Sequence, residues 1–148
     1  SFMTNYSIRR ATEADLEAVE ALMTDCDLPV VRIASHIKTF WVAATKDKTI
    51  IGVLGMLADG DQALLRSFAV APSHRKHGVG QALVRAALAQ LREESCNEAY
   101  LLTQTAESYF ARLGFSVIDR TAMPQALLVE SGLDRACPCS SVCMKYKL

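Results

Sequence analysis

The sequence predicts an α+β fold in which helices flank a mostly antiparallel sheet. Two observations predict it. Three apolar segments, 40–46, 49–58 and 63–70, follow one another with only short turns between them, which is the pattern of an antiparallel meander. The second half of the chain then alternates strand and helix patterns. We therefore expect one sheet with helices packed against it.

The chain opens with a strand pattern and a capped helix. Residues 6–10 predict the strand. Thr12 and Asp15 have the spacing of a capping box, although Asp replaces the usual Glu or Gln, and the apolar spacing that follows predicts a helix over 13–24. Segment 30–38 keeps two interpretations, a loop and a short helix.

Glycine and proline mark the boundaries of the later elements. Asp59-Gly60-Asp61 predicts a hairpin turn, Pro72 ends the third meander strand, and Gly52 and Gly55 predict β-bulges. The remaining elements are predicted as a helix over 78–92, a strand over 98–103, a helix over 106–113 closed by Gly114, and strands over 116–119 and 142–147.

Length and composition limit the function classes. The 148 residues predict a single domain over 1–148, and 51% hydrophobic against 22% charged residues excludes global disorder. A formal net charge of zero disfavours nucleic-acid binding, and no apolar run predicts a membrane span or a signal peptide. Ser1 and Phe2 are predicted to be a cloning remnant, with Met3 as the natural start.

The most informative segment runs from the third meander strand through a glycine turn into the next helix. The first backbone N–H groups of a helix have no internal partner and form a natural phosphate site. Gly78 and Gly80 remove side chains where a pyrophosphate approaches the backbone, and Arg75, Lys76 and His77 add basic groups. The turn therefore predicts a phosphate ligand.

Two common phosphate-binding motifs do not fit this turn. A Walker P-loop ends in Gly-Lys-Ser/Thr, which is absent, and a dinucleotide fingerprint needs a third glycine where Leu83 stands. The spacing Arg75-x-x-Gly78-x-Gly80, after a strand that ends at Val70, resembles the GNAT superfamily of acetyl-CoA-dependent N-acetyltransferases. This resemblance extends over most of the chain and implies the GNAT fold, a mixed, mostly antiparallel sheet flanked by helices.

The second half of the chain resembles particular groups within the GNAT superfamily. The stretch from Leu101 to Phe115 is similar to N-acetylglutamate synthases and to the small GNAT proteins of arsenic-resistance operons, which often end in a Cys-Pro-x-Ser segment like that at Cys137. The resemblance implies a small amine acceptor that is glutamate-like, such as glutamate, phosphinothricin or arsinothricin. It also suggests a homodimer. The five cysteines, an odd number, predict a reduced cytoplasmic protein.

The resemblance assigns acetyl-CoA, the co-substrate, to the strand end, the turn and the late helix. Backbone groups of the strand end are expected to pair with the peptide-like pantetheine arm. The predicted acetyl-CoA residues are Phe68, Ala69, Val70, Arg75, Lys76, His77, Gly78, Val79, Gly80, Gln81, Phe110 and Arg112.

Arg66 lies four residues before Val70. At this position many GNAT enzymes carry the general base, often a glutamate. A guanidinium is a poor base but binds a carboxylate through two hydrogen bonds. We therefore predict that Arg66 holds the carboxylate of an amino-acid acceptor, with a surface arginine on an edge strand as the alternative. Ser67, Thr103, Gln104 and Thr105 are the other predicted acceptor residues, and strand-end capping is the alternative for the last three.

The general base and general acid are not identified by the sequence. His74 is a weak candidate, as are His36 and a water chain. GNAT enzymes usually place a tyrosine acid four residues before the glycine of Gly-Phe, where this chain has Phe110. Tyr109 is one position away, rotated by about 100° around the helix, and is a weak candidate for that role.

Three of the five cysteines, Cys137, Cys139 and Cys143, fall near the C-terminus. Thiolates suit soft ions such as Zn²⁺, Cu(I) or trivalent arsenic, but the second Cys pair of a zinc finger is missing. We predict no metal site here and keep the trio as a weak candidate, with packed small residues as the alternative.

These patterns lead to one functional prediction with rivals. The first is an acetyl-CoA-dependent N-acetyltransferase acting on a small amino acid or an analogue. Acetylation of peptides, protein N-termini or polyamines is the second, and Arg66 disfavours polyamines because it would repel a cation. The rival from another class is a sensory module that binds acyl-CoA or a metalloid without turnover.

Overall fold

The structure, a computed structural model, describes residues 5–148. The predicted cloning remnant and start at Met3 lie outside these residues. The strands are β1 (Tyr6–Arg10), β2 (Phe40–Thr45), β3 (Ile50–Asp59), β4 (Gln62–Val70), β5 (Glu98–Thr103), β6 (Ser116–Ile118) and β7 (Val142–Lys147). The α-helices are α1 (Leu16–Asp25), α2 (Val79–Glu93), α3 (Glu107–Arg112), α4 (Gln125–Ser131) and α5 (Leu133–Ala136).

The strands form one seven-stranded sheet in the order β1-β2-β3-β4-β5-β7-β6. Antiparallel pairing joins β1 to β2, β2 to β3, β5 to β7 and β6 to β7, whereas β4 and β5 run parallel. The predicted α+β class and mostly antiparallel sheet are confirmed. Because β4 has a neighbour on both sides, the alternative that Arg66 lies on an edge strand is wrong.

The chain divides into two compact units, one formed by residues up to Met56 with Ser67–Ala87 and the other by Leu57–Arg66 with Leu88–Leu148. In the first unit, the buried Val19 and Met23 of α1 belong to one hydrophobic core cluster with Phe40 of β2 and Val53 of β3. The neighbouring Gly52 faces Val79 and Leu83 of α2 instead. Since successive strand residues point to opposite faces, α1 and α2 cover opposite faces of the sheet in this unit.

The two predicted bulge glycines differ in the structure, since a register shift lies beside Gly52 but not beside Gly55. A Cβ on Gly55 would stand 2.6 Å from the ring of Phe40, its partner across β2 and β3. A Cβ on Gly52 would stand 2.9 Å from the side chains of both Val79 and Leu83. The register shift lies next to Gly52, between Ala43 and Ala44, while Gly55 sits in regular pairing. Close packing, rather than a bulge, therefore requires Gly55.

A row of aromatic rings packs together in the second unit. The ring centroids of Phe110 and Phe115 are 5.5 Å apart, and those of Phe115 and Tyr146 are 5.1 Å apart. Arg92 lies over the Tyr146 ring at 5.9 Å. Gly114, at φ +105°, lets the chain pass this ring and closes α3 as predicted.

The predicted capping box at the start of the first helix is present. The backbone N–H of Thr12 donates to Oδ2 of Asp15 over 2.8 Å, and a 3₁₀ turn at Glu13–Asp15 leads into α1. The guanidinium of Arg9 donates two hydrogen bonds to the same carboxylate, at 2.8 and 2.9 Å. These bonds lower the pKa of Asp15 from 3.8 to about 2.

Replacing Asp15 with asparagine should lower the free energy of unfolding at pH 7 by about 1–2 kcal/mol. This value allows for solvent screening of the ion pair, because Arg9 is partly exposed. Because the folded-state pKa lies below the ordinary value of 3.8, the carboxylate stabilises the fold above that pH. Its contribution is lost as the pH falls from about 4 to 2. Urea unfolding at pH 7 and pH 2 measures this.

Glu17→Gln, at an exposed position of α1, is the matched control and should change little at either pH. Equal destabilisation of Asp15→Asn at pH 7 and pH 2 would contradict the assigned role of the charge.

Candidate functional site

The turn between β4 and α2 presents the predicted phosphate site in the first unit. After a 3₁₀ turn at Pro72–His74, residues Arg75 to Gly78 are exposed, and α2 begins at Val79. Lys76 and Gly78 have positive φ values of +68° and +81°. Val79 is buried, so the start of α2 is anchored while the preceding turn stays open to solvent.

The side chain of Arg75 contacts the end of β4. Its Nε donates to the carbonyl oxygen of Val70 over 3.0 Å, and its Nη2 contacts Sγ of Cys26 at 3.6 Å. The Cys26 thiol also lies 3.8 Å from the Val70 oxygen. A pantetheine amide that uses this oxygen, as predicted, must share it with Arg75 or displace that side chain. The turn has two other basic side chains, Lys76 and His77. Among the described residues, neither has a contact of this kind to the strand end.

The strand that leads to the turn changes character at Ser67. Its parallel pairing with β5 covers only Gln62–Leu64. Ser67 has a φ of +57°, a conformation that non-glycine residues rarely adopt and that interrupts the regular strand alternation. Phe68 and Val70 are half-buried and Ala69 is buried. The predicted pantetheine segment is therefore a strand end with an unusual backbone.

Arg66 lies in the second unit and is only 4% exposed, so the surface-arginine alternative is wrong. Its Nη1 donates to the backbone oxygen of Ser131 over 3.2 Å. Ser131 is fully buried, and its hydroxyl joins the end of α4 to the start of α5 through Leu128 O and Leu133 N. The α4–α5 junction thus positions the Arg66 guanidinium.

Helices α4 and α5 were not predicted from the sequence. The signal for α4 was present: Pro124 precedes its first residue, and Gly132, in the left-handed conformation at φ +79°, follows its last. Between them lie the buried pair Leu127 and Leu128.

The other predicted acceptor residues divide into two groups. The Thr103 hydroxyl accepts the backbone N–H of Ala106 over 3.0 Å, which supports the capping alternative for this residue. Gln104 and Thr105 are exposed.

The late helix α3 places its two aromatic residues differently. Phe110 is buried in the aromatic row, while Tyr109 is half-buried with its ring edge-on to Phe110 at 5.3 Å. Burial raises the pKa of Tyr109 above its usual value. Its hydroxyl therefore stays protonated at neutral pH. Arg112 is exposed.

The candidate histidines have local contacts. Nδ1 of His74 lies 2.9 Å from the hydroxyl of Ser73, and His74 lines an open cavity of about 490 Å³ with residues of the β2–β3 hairpin. Nδ1 of His36 lies 3.1 Å from the backbone oxygen of Arg32, on a 3₁₀ segment, Ala34–Thr39, within the region that kept two interpretations.

The cysteine trio is not one site. Cys143 is buried, Cys137 is half-buried and Cys139 is exposed. Cys137 and Cys143 are close enough for their thiols to interact electrostatically, but burial raises the pKa of both. In the part of the chain that the structure describes, no group of three or more His, Cys, Asp or Glu residues could hold a metal ion.

The comparisons with known proteins agree with this arrangement of strand, glycine turn and helix. The model of the acetyltransferase (GNAT) family matches residues 4–115. The chain belongs to this family. Within residues 5–148, no helix of this chain is long and apolar enough to cross a membrane.

Three similar proteins show how far the likeness extends. The chain is 35% identical over 98 residues to an uncharacterized N-acetyltransferase of Chlorobaculum tepidum, covering 66% of this chain and 63% of that protein. It is 31% identical over 124 residues to an amino-acid acetyltransferase of Mycobacterium tuberculosis, covering 77% and 70%. N-acetylglutamate synthase from Neisseria gonorrhoeae, complexed with coenzyme A and N-acetyl-glutamate, has a TM-score of 0.83 at 19% identity, covering 100% of this chain and 36% of the synthase.

The chain therefore spans slightly less than two thirds of the Chlorobaculum relative and about a third of the synthase. The predicted GNAT family and fold are confirmed. Acetyltransferase is the activity by which the family is described, and the Neisseria synthase is complexed with coenzyme A. The acceptor, the link to arsenic resistance, the homodimer and the cytoplasmic location stay predictions.

Proposed function

We propose that this chain transfers the acetyl group of acetyl-CoA to the α-amine of an acidic amino acid or an analogue. The observation that carries the proposal is the buried guanidinium of Arg66 on a central strand, held by the backbone oxygen of Ser131. Burying a permanent charge is costly, so its retention favours a functional role. Its planar N–H groups match an amino-acid carboxylate.

The turn before α2 supports the acetyl-CoA half of the proposal. The first N–H groups of this 15-residue helix carry the positive end of the helix dipole. The exposed Lys76 and His77 precede them directly. A pyrophosphate bound there needs no other anion-binding residue.

The proposed reaction forms a C–N bond and breaks a C–S bond. The neutral amine attacks the thioester carbonyl, the amine proton passes to water, and the departing CoA thiolate takes a proton from water. Arg66 assists the first step. Free amino acids hold their ammonium form partly through the neighbouring carboxylate, and pairing this carboxylate with a guanidinium lowers the pKa of the amine.

The same contact accommodates analogues of glutamate. Phosphinothricin and arsinothricin, the acceptors suggested by the resemblance to arsenic-operon proteins, share the α-amino acid group that Arg66 would bind. Polyamines are disfavoured because a buried cation would face a second cation. Arg66 and Phe110, which replace the usual acidic and tyrosine residues, also support the rival proposal of a binding module without turnover.

Replacing Gly78 with alanine tests the acetyl-CoA turn. Gly78 and Gly60 both have positive φ, +81° and +63°, and a Cβ at either would meet no described atom within 4 Å. Each alanine variant should therefore lose a similar free energy of unfolding, about 1 kcal/mol, from backbone strain alone. Only Gly78→Ala should also raise KM for acetyl-CoA, by about 5- to 10-fold, because the turn's N–H groups shift.

Steady-state kinetics of the two variants, with their melting temperatures, provide the measurement. An equal rise in KM for Gly60→Ala, or no rise for Gly78→Ala, would refute the assigned phosphate position.

Turnover separates the acetyltransferase from the binding module. Two measurements on the same protein test both proposals. Calorimetry measures the binding of CoA. Mass spectrometry detects N-acetylated products in reactions of acetyl-CoA with one amine at a time: glutamate, aspartate, methionine, phosphinothricin, spermidine or a short peptide. We expect CoA binding and N-acetylation of the acidic amino acids. CoA binding without any acetylated product would favour the binding module.

A further inference from the structure

The carbonyl oxygen of Val70 lies at the end of β4, on the strand edge that faces away from β3. The backbone N–H of Ala71 donates to the backbone oxygen of Ile51 in β3 over 2.8 Å. Because the N–H and C=O groups of a trans peptide point in opposite directions, the Val70 oxygen of the same peptide points away from β3. Along this edge the pairing of β4 with β5 covers only Gln62–Leu64. Val70 therefore lies beyond the paired part of the edge.

Two side chains take the place of a strand partner at this oxygen. Nε of Arg75 donates to it over 3.0 Å, and Sγ of Cys26 lies 3.8 Å from it, within reach of a weak S–H donor. A carbonyl oxygen has two lone pairs, so these two donors fill its capacity. All three residues belong to the first unit. A pantetheine amide that donates to the Val70 oxygen must therefore remove one of the two donors.

Arg75 is the donor that is free to leave. Its side chain is long and exposed, and it belongs to a turn that is open to solvent. Cys26 is half-buried, and its backbone N–H is bonded to the carbonyl oxygens of Leu22 and Met23, each over 3.1 Å, at the end of α1. Nη2 of Arg75 rests on Cys26 Sγ at 3.6 Å, so the fixed thiol supports the guanidinium in its place over the strand end.

We propose that Arg75 is a displaceable cap on the pantetheine site. In the free protein the guanidinium occupies the Val70 oxygen, and the pantetheine amide that pairs with this oxygen turns the Arg75 side chain out into solvent. Until then, the cap protects an open strand edge from pairing with another extended backbone. This inference rests on the proposed use of acetyl-CoA and adds a residue that controls access to the co-substrate site.

The test uses S-methylpantetheine, which is the arm of CoA without its phosphates and with its thiol blocked. A ligand without phosphates is needed because the loss of a cation beside the phosphate turn would itself weaken the binding of CoA. Arg75→Met should lower the Kd of S-methylpantetheine, measured by NMR titration, by about three- to tenfold, because the ligand amide no longer competes with a side-chain donor. Arg85→Met, at an exposed arginine of α2, is the matched control and should leave this Kd unchanged.

An unchanged or higher Kd in Arg75→Met overturns the inference. A measurement on the wild type makes the test independent of how the variant folds: the exchange of the Arg75 Nε proton with water, followed by NMR. In the free protein this proton should exchange at least about threefold more slowly than that of Arg85, and the difference should disappear when S-methylpantetheine is bound. Equal exchange in the free protein, or slow exchange that persists in the complex, also overturns the inference.

The binding results separate this inference from the proposed function. If the wild type and Arg75→Met bind CoA but not S-methylpantetheine, the displaceable cap is overturned and the acetyltransferase proposal stands. If Arg75→Met binds S-methylpantetheine more tightly than the wild type but no amine is acetylated, the cap is supported and the proposed acetyl transfer fails. If neither CoA nor S-methylpantetheine binds, both proposals are overturned.

Discussion

Replacing Arg66 with methionine is expected to lower kcat/KM for glutamate by about 100- to 1,000-fold. The guanidinium is 4% exposed, and its proposed partner, the substrate carboxylate, would be left in a buried place without a cation. Losing one partner of a buried charged pair costs about 2–5 kcal/mol. The Kd for acetyl-CoA should stay within about threefold, because the proposed pyrophosphate turn at Arg75–Gly78 does not depend on this side chain.

A second acceptor distinguishes carboxylate binding from a purely structural role of Arg66. 4-Aminobutyrate is glutamate without the α-carboxylate, so the wild type should use it poorly. Arg66→Met should abolish most of the preference for glutamate over 4-aminobutyrate, and Arg66→Lys, which keeps the charge but not the planar fork, should retain part of it. Arg135→Met is the exposed control. If Arg66→Met lowered both substrates equally, Arg66 would only support the α4–α5 junction through Ser131.

Replacing Gly55 with alanine is expected to lower the free energy of unfolding by about 2–3 kcal/mol. The added Cβ would stand 2.6–2.9 Å from three carbons of the Phe40 ring, and Phe40 is fully buried. The ring cannot move into solvent without opening the core of the first unit. The expected fall in Tm is about 5–10 °C.

A double-mutant cycle identifies the cause. Phe40→Leu removes the ring atoms that the new Cβ would meet, so Gly55→Ala should cost at least about 1 kcal/mol less in that background. Gly60→Ala, where a Cβ meets no described atom within 4 Å, should cost the same in both backgrounds. Additive effects of Gly55→Ala and Phe40→Leu would show that the ring contact is not the cause.

The regular elements were predictable because their signals are local. β1, β5 and β7 have the predicted bounds, and α2 begins one residue later and ends one residue later than predicted. Strong helix formers and the punctuation at Pro72 and Gly78 decide these elements without help from tertiary structure. The helices that were missed, α4 and α5, have seven and four residues, and helices this short depend on packing.

The residues of the candidate site also differ in whether local sequence or tertiary packing determines their role. The glycine turn was predictable because its chemistry needs a fixed spacing in the chain. The burial of Arg66 was left open, since a polar residue in an alternating strand also fits the solvent side of an edge strand. The role of Gly55 was misassigned because the ring that requires it, that of Phe40, lies on the neighbouring strand and is brought close only by the pairing of β2 with β3.

A competition assay tests the central claim most directly. Wild-type protein is incubated with isotopically labelled acetyl-CoA and an equimolar mixture of glutamate, glutamine, 4-aminobutyrate and spermidine, and the labelled N-acetyl products are quantified by mass spectrometry. We predict that N-acetylglutamate dominates the products by at least tenfold and that Arg66→Met removes this dominance. Labelled acetylspermidine or acetyl-4-aminobutyrate as the main product, or no labelled product with CoA binding intact, would contradict the account.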